Sequence, residues 1–196
     1  ERSMSMAAWS EGSSKSLVVI REPKKDQGIA TLKVDENIWN YLPKINRVTK
    51  VPPSMMMGSW MGSHFTNDDL VKDSTWEKDY TSEITFAGER NGHPIYEVRG
   101  VPKPDAAVVW GKVEMDIAQQ SLLPLEARYF DEDNELVRTM RFEDLRNVGG
   151  RMLPMKMVLT PQDKPEEFTT VTYETLEFDV KLSPDLFSLQ RLRAAR

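Results

Sequence analysis

The side chains able to act on a substrate are few and poorly spaced. His64 follows Ser63 and stands near Asp68 and Asp69 in "MGSHFTNDDL", a grouping that invites comparison with a hydrolase. The nucleophile-elbow pattern G-x-S-x-G is not completed, however, because "MGSH" does not continue to a second glycine. The other histidine, His93, follows the turn residues Asn91 and Gly92 in "RNGHP" and reads as an exposed hairpin residue. With two histidines and no cysteine, a zinc site would depend on carboxylates in no recognisable spacing. The acidic run "FDEDNE" offers carboxylates at short range, but it sits in a hairpin turn with no apolar pocket to raise a pKa. Phosphate-loop and dinucleotide fingerprints are absent, the glycines being scattered among turns. These residues argue for no catalytic group, no metal and no cofactor.

The elements that would have to position such residues are mostly strands. Period-two alternation dominates the 196 residues and is interrupted by "SEGSS", "VDEN", "ERNGHP", "DEDNE", "VGGR" and "PQDKP", which tolerate or pre-set turn dihedrals. The pattern predicts strands over Arg2 to Ser10, Ser16 to Arg21, Gly28 to Val34, Asn37 to Leu42, Asp79 to Glu89, Ile95 to Val101 and Ala107 to Ile117. Four more are expected over Pro124 to Phe130, Leu136 to Leu145, Arg151 to Thr160 and Glu167 to Val180. Helix signals are limited to a capping box of Thr66 and Asp69 ahead of Asn67 to Lys72, and to a single turn over Ser183 to Leu189. The expected fold is mainly β, a strongly curved antiparallel sheet or incomplete β-barrel with a few short helices, read as one domain over residues 1–196.

Charge and composition narrow the partners. A net charge of −5, from 26 basic and 31 acidic residues with no long block of one sign, argues against nucleic acid. No run approaches the roughly 18 apolar residues that span a bilayer. Arg21, Lys24 and Lys25, and then Lys44, Arg47 and Lys50, can meet anionic head groups or an acidic partner, though each alone reads as a solvated hairpin face.

The unusual feature is apolar surface. "ELVRTMRFEDL" places Leu136, Arg138, Met140 and Phe142 on one side, and "RMLPMKMVL" does the same with Leu153, Met155, Met157 and Leu159. The predicted helices are too short to cover so much sheet. Eleven methionines are abundant for this length, and methionine adapts to varied apolar shapes because it is unbranched and polarisable. Met55, Met56, Met57 and Met61 fall in a glycine-flanked stretch between a proline pair and a capped helix, which suits a lid over an apolar site.

In order, "DQGIATLK", "IWNYLP", "NRVTKV" and "WMGSHFTNDDL" resemble the successive motifs of the LolA-like, outer-membrane lipoprotein-sorting family of bacterial periplasmic proteins. The stretch from "GKVEMDIAQQSLLPLEARYFDEDNELVRTM" to "GGRMLPMKMVL" is similar to the same family's later strands and hairpin. His64 stands where the family often has an acid, and Asn40 interrupts an otherwise apolar strand. The resemblance implies a half-barrel that binds acyl chains of lipoproteins or free lipid, a cleaved leader and a periplasmic location in a Gram-negative cell. Further implied partners are an inner-membrane transporter or an outer-membrane acceptor. The chain opens on Glu1 within a predicted strand, so a leader and a first element are expected to precede it.

Under this reading the cavity wall is Leu32, Val34, Trp39, Tyr41, Trp110, Met115, Met140, Met155 and Met157. The lid is Met55, Met57, Trp60, Met61 and Phe65, with Gly58 and Gly62 as hinge positions. A non-enzymatic carrier is the leading expectation. The alternative is a sensor or interaction module that binds a polypeptide in the same fold.

Overall fold

A computed structural model of the chain describes residues 1–72, 76–106 and 108–194. The fold is mainly β, with antiparallel sheets that do not close into a barrel and few short helices, as the alternation predicts. The strands divide over two sheets, carried by two compact units.

The first unit holds a five-stranded meander of β1 (Ser5–Glu11), β2 (Lys15–Glu22), β3 (Ala30–Val34), β4 (Asn37–Leu42) and β5 (Arg47–Lys50), paired in chain order. Register places Val19, Ala30, Tyr41 and Val48 in one row, and Leu17, Leu32, Trp39 and Lys50 in another. Leu17, Val19, Ala30, Leu32 and Tyr41 are buried against Leu186 and Leu192 from the C-terminal segment. That segment turns once, through the Leu186 N–H to Ser183 carbonyl bond (3.0 Å), and then forms α3 (Leu189–Arg193). Ser188 caps α3, its hydroxyl accepting from the Arg191 N–H at 3.1 Å. The predicted turn is present. The helix after it escapes a periodicity argument because five residues hold barely one repeat.

The same unit carries α1 (Asn67–Lys72), which has the predicted bounds. Its capping box is formed: the Asp69 N–H donates to Thr66 Oγ1 (3.2 Å), and the Thr66 N–H donates to Asp69 Oδ2 (2.7 Å).

The second unit holds a seven-stranded sheet of β6 (Tyr80–Arg90), β7 (His93–Pro102), β8 (Lys112–Ala118), β9 (Pro124–Phe130), β10 (Leu136–Val148), β11 (Arg151–Pro161) and β12 (Thr169–Thr172). A short α2 (Trp76–Asp79) leads into β6. Both β4 and β9 match their predicted bounds, while β5 was not anticipated. The strand expected from Ala107 begins on a residue outside the described ones, and its observed part is β8. The strand expected over Glu167 to Val180 is formed only from Thr169 to Thr172, followed by one further bond to β11 from the Tyr173 N–H to the Met155 carbonyl (2.8 Å). Alternation continues beyond Thr172, but alternation reports a face and does not supply a partner strand.

Candidate functional site

In the seven-stranded sheet, Val98, Met115, Ala127, Met140, Leu159 and Thr169 stand opposite one another on consecutive strands, β7 to β12. One row away lie Val113, Tyr129 and Arg138, and on the other side Phe142, Met157 and Val171. Because side chains alternate across a strand, all of these share one face. Ala127, Met140 and Leu159 are buried there, and Phe65, Met115, Tyr129, Phe142 and Met157 pack around them half-buried. Met155, two residues before Met157, is buried as well.

At one end of this face Arg138 is buried, with its guanidinium 4.4 Å from the ring centroids of both Trp110 and Tyr129. The two rings are tilted at 58° with centroids 5.3 Å apart. Trp110 precedes β8, so its reach to this face comes from the connecting segment and not from strand phase.

A five-residue strap, Met61–Phe65, belongs to this unit. Met61 (φ 54°) and Gly62 (φ 74°) both adopt left-handed backbone, a conformation glycine supplies at little cost. The His64 N–H then donates to Thr169 Oγ1 (3.1 Å), while the ring places Nδ1 2.9 Å from the same hydroxyl and Nε2 3.3 Å from Glu167 Oε2. Both ring nitrogens of His64 thus face Thr169 and Glu167, and the Asp69 carboxylate caps α1. The next residue, Phe65, lies on the methionine face.

The remaining expected lid residues lie in the first unit. Trp60 is buried, and its Nε1–H donates to Thr31 Oγ1 (3.1 Å), which in turn donates to Asn40 Oδ1 (2.8 Å). Asn40, unusual in an apolar strand, is thus the acceptor that ends this chain. Met55 and Met57 are exposed at 59% and 49%. Their loop is pinned by Asn67, whose amide donates to the carbonyls of Met55 (3.2 Å) and Gly58 (3.0 Å). A Cβ on Gly58 would stand 3.0 Å from the Met55 carbonyl oxygen, so glycine serves close packing at that position. Of the expected wall residues, Leu32 and Tyr41 are in the core of the five-stranded sheet, with Val34 and Trp39 packed against it. Those four belong to the first unit, and Trp110, Met115, Met140, Met155 and Met157 to the second.

The opposite face of the seven-stranded sheet holds what alternation missed. Arg90 Nη1 lies 2.7 Å from Glu97 and 2.9 Å from Asp116, and Arg128 Nη2 lies 3.0 Å and 2.8 Å from the same two carboxylates. Arg128 also reaches Glu126 (3.0 Å), and Glu114 takes Arg99 (3.3 Å) and Lys112 (3.1 Å). Burial pushes the Glu97 carboxyl up, but the Thr85 hydroxyl and the Arg90 and Arg128 guanidiniums outweigh it and hold the group below its ordinary range. Burial likewise opposes the charge on Arg128, and the hydrogen bonds and charges of Asp116 and Glu126 overcome it and raise that group. The signal was present in sequence as charges of opposite sign at matching positions of "YEVRG", "KVEMDI" and "LEARYF".

Among the described residues, no helix is long and apolar enough to cross a membrane. A family model described as "Uncharacterized protein" matches residues 12–194. No curated protein matches the chain. Among solved structures, a DUF1329 family protein from Desulfovibrio piger has a TM-score of 0.82 at 24% identity, covering 91% of this chain and 76% of that one. A protein described as an outer membrane lipoprotein-sorting domain, from Vibrio parahaemolyticus, has a TM-score of 0.79 at 20% identity, with 97% and 83% covered. A LolA superfamily protein from Nitrosomonas europaea has a TM-score of 0.79 at 20% identity, with 96% and 82% covered. The chain therefore belongs to the uncharacterized-protein family whose model spans residues 12–194, and its fold is LolA-like.

Proposed function

We propose that this protein is a non-enzymatic periplasmic carrier or chaperone that takes up acyl chains of lipoproteins or other lipids. The observation that supports this most is the methionine face of the seven-stranded sheet, where Met115, Met140 and Met157 meet Tyr129, Phe142 and the strap residue Phe65. Flexible thioether side chains accommodate chains of varied length and branching. Each methylene removed from water there contributes about 0.8 kcal/mol, so binding needs no charged ligand.

In this reading Trp110, Met115, Met140, Met155 and Met157 form the wall. An incoming acyl chain displaces Phe65, the strap pivoting at Met61 and Gly62, where the backbone is already left-handed. The His64 bonds to Thr169 and Glu167 retain the strap and return it once the chain leaves. Trp60, which precedes the strap in the chain, is held by its bond to Thr31. The donor or acceptor is a membrane or membrane protein.

The test is native mass spectrometry with solvent extraction, on protein exported to the periplasm and purified without detergent. Bound lipid or lipopeptide is expected, and Met140→Lys should abolish it while the circular dichroism spectrum is retained. A clean apo mass that gains no ligand on incubation with membranes would reject the carrier.

A further inference from the structure

Two loops leave the five-stranded sheet from the same end. The row Val19, Ala30, Tyr41 and Val48 crosses β2 to β5, so the connection after β2 and the connection after β4 emerge side by side along one rim. The first carries Lys24 and Lys25 and the second Lys44 and Arg47, all four exposed. Among the described residues, none of the four enters an ion pair. The acids nearest in sequence are Glu22 and Asp26, and Asp26 is taken by Arg2 at 2.9 Å. From Asn37 to Asn67 the chain contains no acidic residue, although acids outnumber bases overall by 31 to 26.

The tip of the second loop is apolar as well as basic. Ile45 is 62% exposed and Leu42 is 40% exposed. The backbone there is firmly built: Pro43 opens a single 3₁₀ turn, the Asn46 N–H closes it on the Pro43 carbonyl (3.2 Å), and Asn46 is left-handed (φ 47°). The Tyr41 hydroxyl donates to Asn46 Oδ1 at 3.2 Å, tying the tip to a side chain of the core. The loop therefore holds Ile45 out in water between two cations. Single exposed apolar residues are ordinary on protein surfaces. A rigid tip with an exposed isoleucine and leucine, four unneutralised cations at the same rim and no acid across 31 neighbouring residues is a different case, since apolar insertion and charge attraction then act at one place. The tips between β6 and β7, "RNGH", and between β9 and β10, "DEDNE", have no such character.

We infer that this rim docks on the surface of an anionic phospholipid bilayer. Ile45 and Leu42 enter the interface, and Lys24, Lys25, Lys44 and Arg47 meet head-group phosphates. The chain as a whole carries −5 and is repelled by such a surface, so attraction confined to one rim also fixes the orientation in which the protein lands. This docking goes beyond the carrier reading and does not depend on it.

The chain lacks cysteine, so Ile45→Cys accepts a single environment-sensitive fluorophore. The probes are vesicles of phosphatidylglycerol and phosphatidylcholine in equal parts, and vesicles of phosphatidylcholine alone. The label at position 45 is expected to shift to the blue and brighten on the anionic vesicles only, and a label at Glu132→Cys, in the β9–β10 turn, to stay unchanged. Each cation near an anionic surface raises partitioning roughly fivefold, so the pair Lys44→Gln and Arg47→Gln should lower co-sedimentation of otherwise native protein about 25-fold. Added salt should weaken it further. A silent label on anionic vesicles, or equal partitioning after neutralising all four cations, would overturn the inference. So would a silent label combined with retention on immobilised polyglutamate, which would assign the rim to an acidic protein. Vesicle docking by protein that never carries lipid would leave this inference standing and defeat the carrier, and bound lipid with no docking would do the reverse.

Discussion

Replacing Gly100 by alanine tests how the methionine face is closed at its β7 end. An ideal Cβ at Gly100 would lie 2.5 Å from both Cη2 and Cζ2 of Trp76 and 3.3 Å from its Cε2, closer than side chains tolerate. The indole is not free to yield. It stacks on Tyr80 with centroids 4.8 Å apart at 18°, and its Nε1–H donates to Ser82 Oγ at 2.8 Å. Displacing it forfeits about 0.5–1.5 kcal/mol of stacking and about 1 kcal/mol of hydrogen bonding. Alanine returns about 0.5–1 kcal/mol because glycine is the poorer strand residue. Gly100→Ala should therefore destabilise by about 0.5–2 kcal/mol, toward the low end of the usual range for overpacking. In a Trp76→Ala background the obstruction is gone and the same substitution should stabilise by about 0.5 kcal/mol. Urea unfolding followed by far-ultraviolet circular dichroism on the four proteins of this cycle reads both values. If Gly100→Ala is neutral or stabilising with Trp76 present, the indole does not rest on Gly100 and the reasoning fails.

Three other outcomes follow from the geometry. Arg128→Met leaves the buried Glu97 and Asp116 with half of their compensating charge and should cost about 3–5 kcal/mol in urea unfolding, with part recovered by adding Glu97→Gln. The folded-state pKa of Glu97 is below its ordinary 4.5, so its contribution is full above that pH and is lost as pH falls through the lowered value. The urea midpoint should accordingly drop on acidification, and drop less in Glu97→Gln; equal drops would contradict the assignment. Trp60→Phe removes the donor to Thr31 and should cost about 1 kcal/mol, with a correspondingly lower melting temperature.

Much of the second sheet was legible because its strands are long and alternate cleanly. The bounds of β9 follow from its turn residues, and the phase of β10 and β11 correctly grouped Met140 and Phe142 with Met157 and Leu159. The capping box was legible for a similar reason, since it is a contact between residues three apart. What stayed hidden depends on distant partners. The four-residue β5 is defined by pairing with β4, and Trp60 turns inward because Thr31, far along the chain, accepts its N–H. Alternation also assigns the polar face of a sheet to solvent. Arg90, Glu97, Asp116 and Arg128 instead shield one another, and spacing within one strand cannot report a neighbour on the next.

The charge lattice has a consequence for how such a protein diversifies. A one-residue slip of β8 or β9 would carry Asp116 or Arg128 onto the methionine face and strand their partners, so the pairing of these strands is enforced from the charged side. Substitutions among Met115, Met140 and Met157 then alter shape and softness without reopening the question of alignment. One surface of the sheet keeps the architecture while the other is left open to variation, and a lineage can explore new contacts on the latter at little risk to the former.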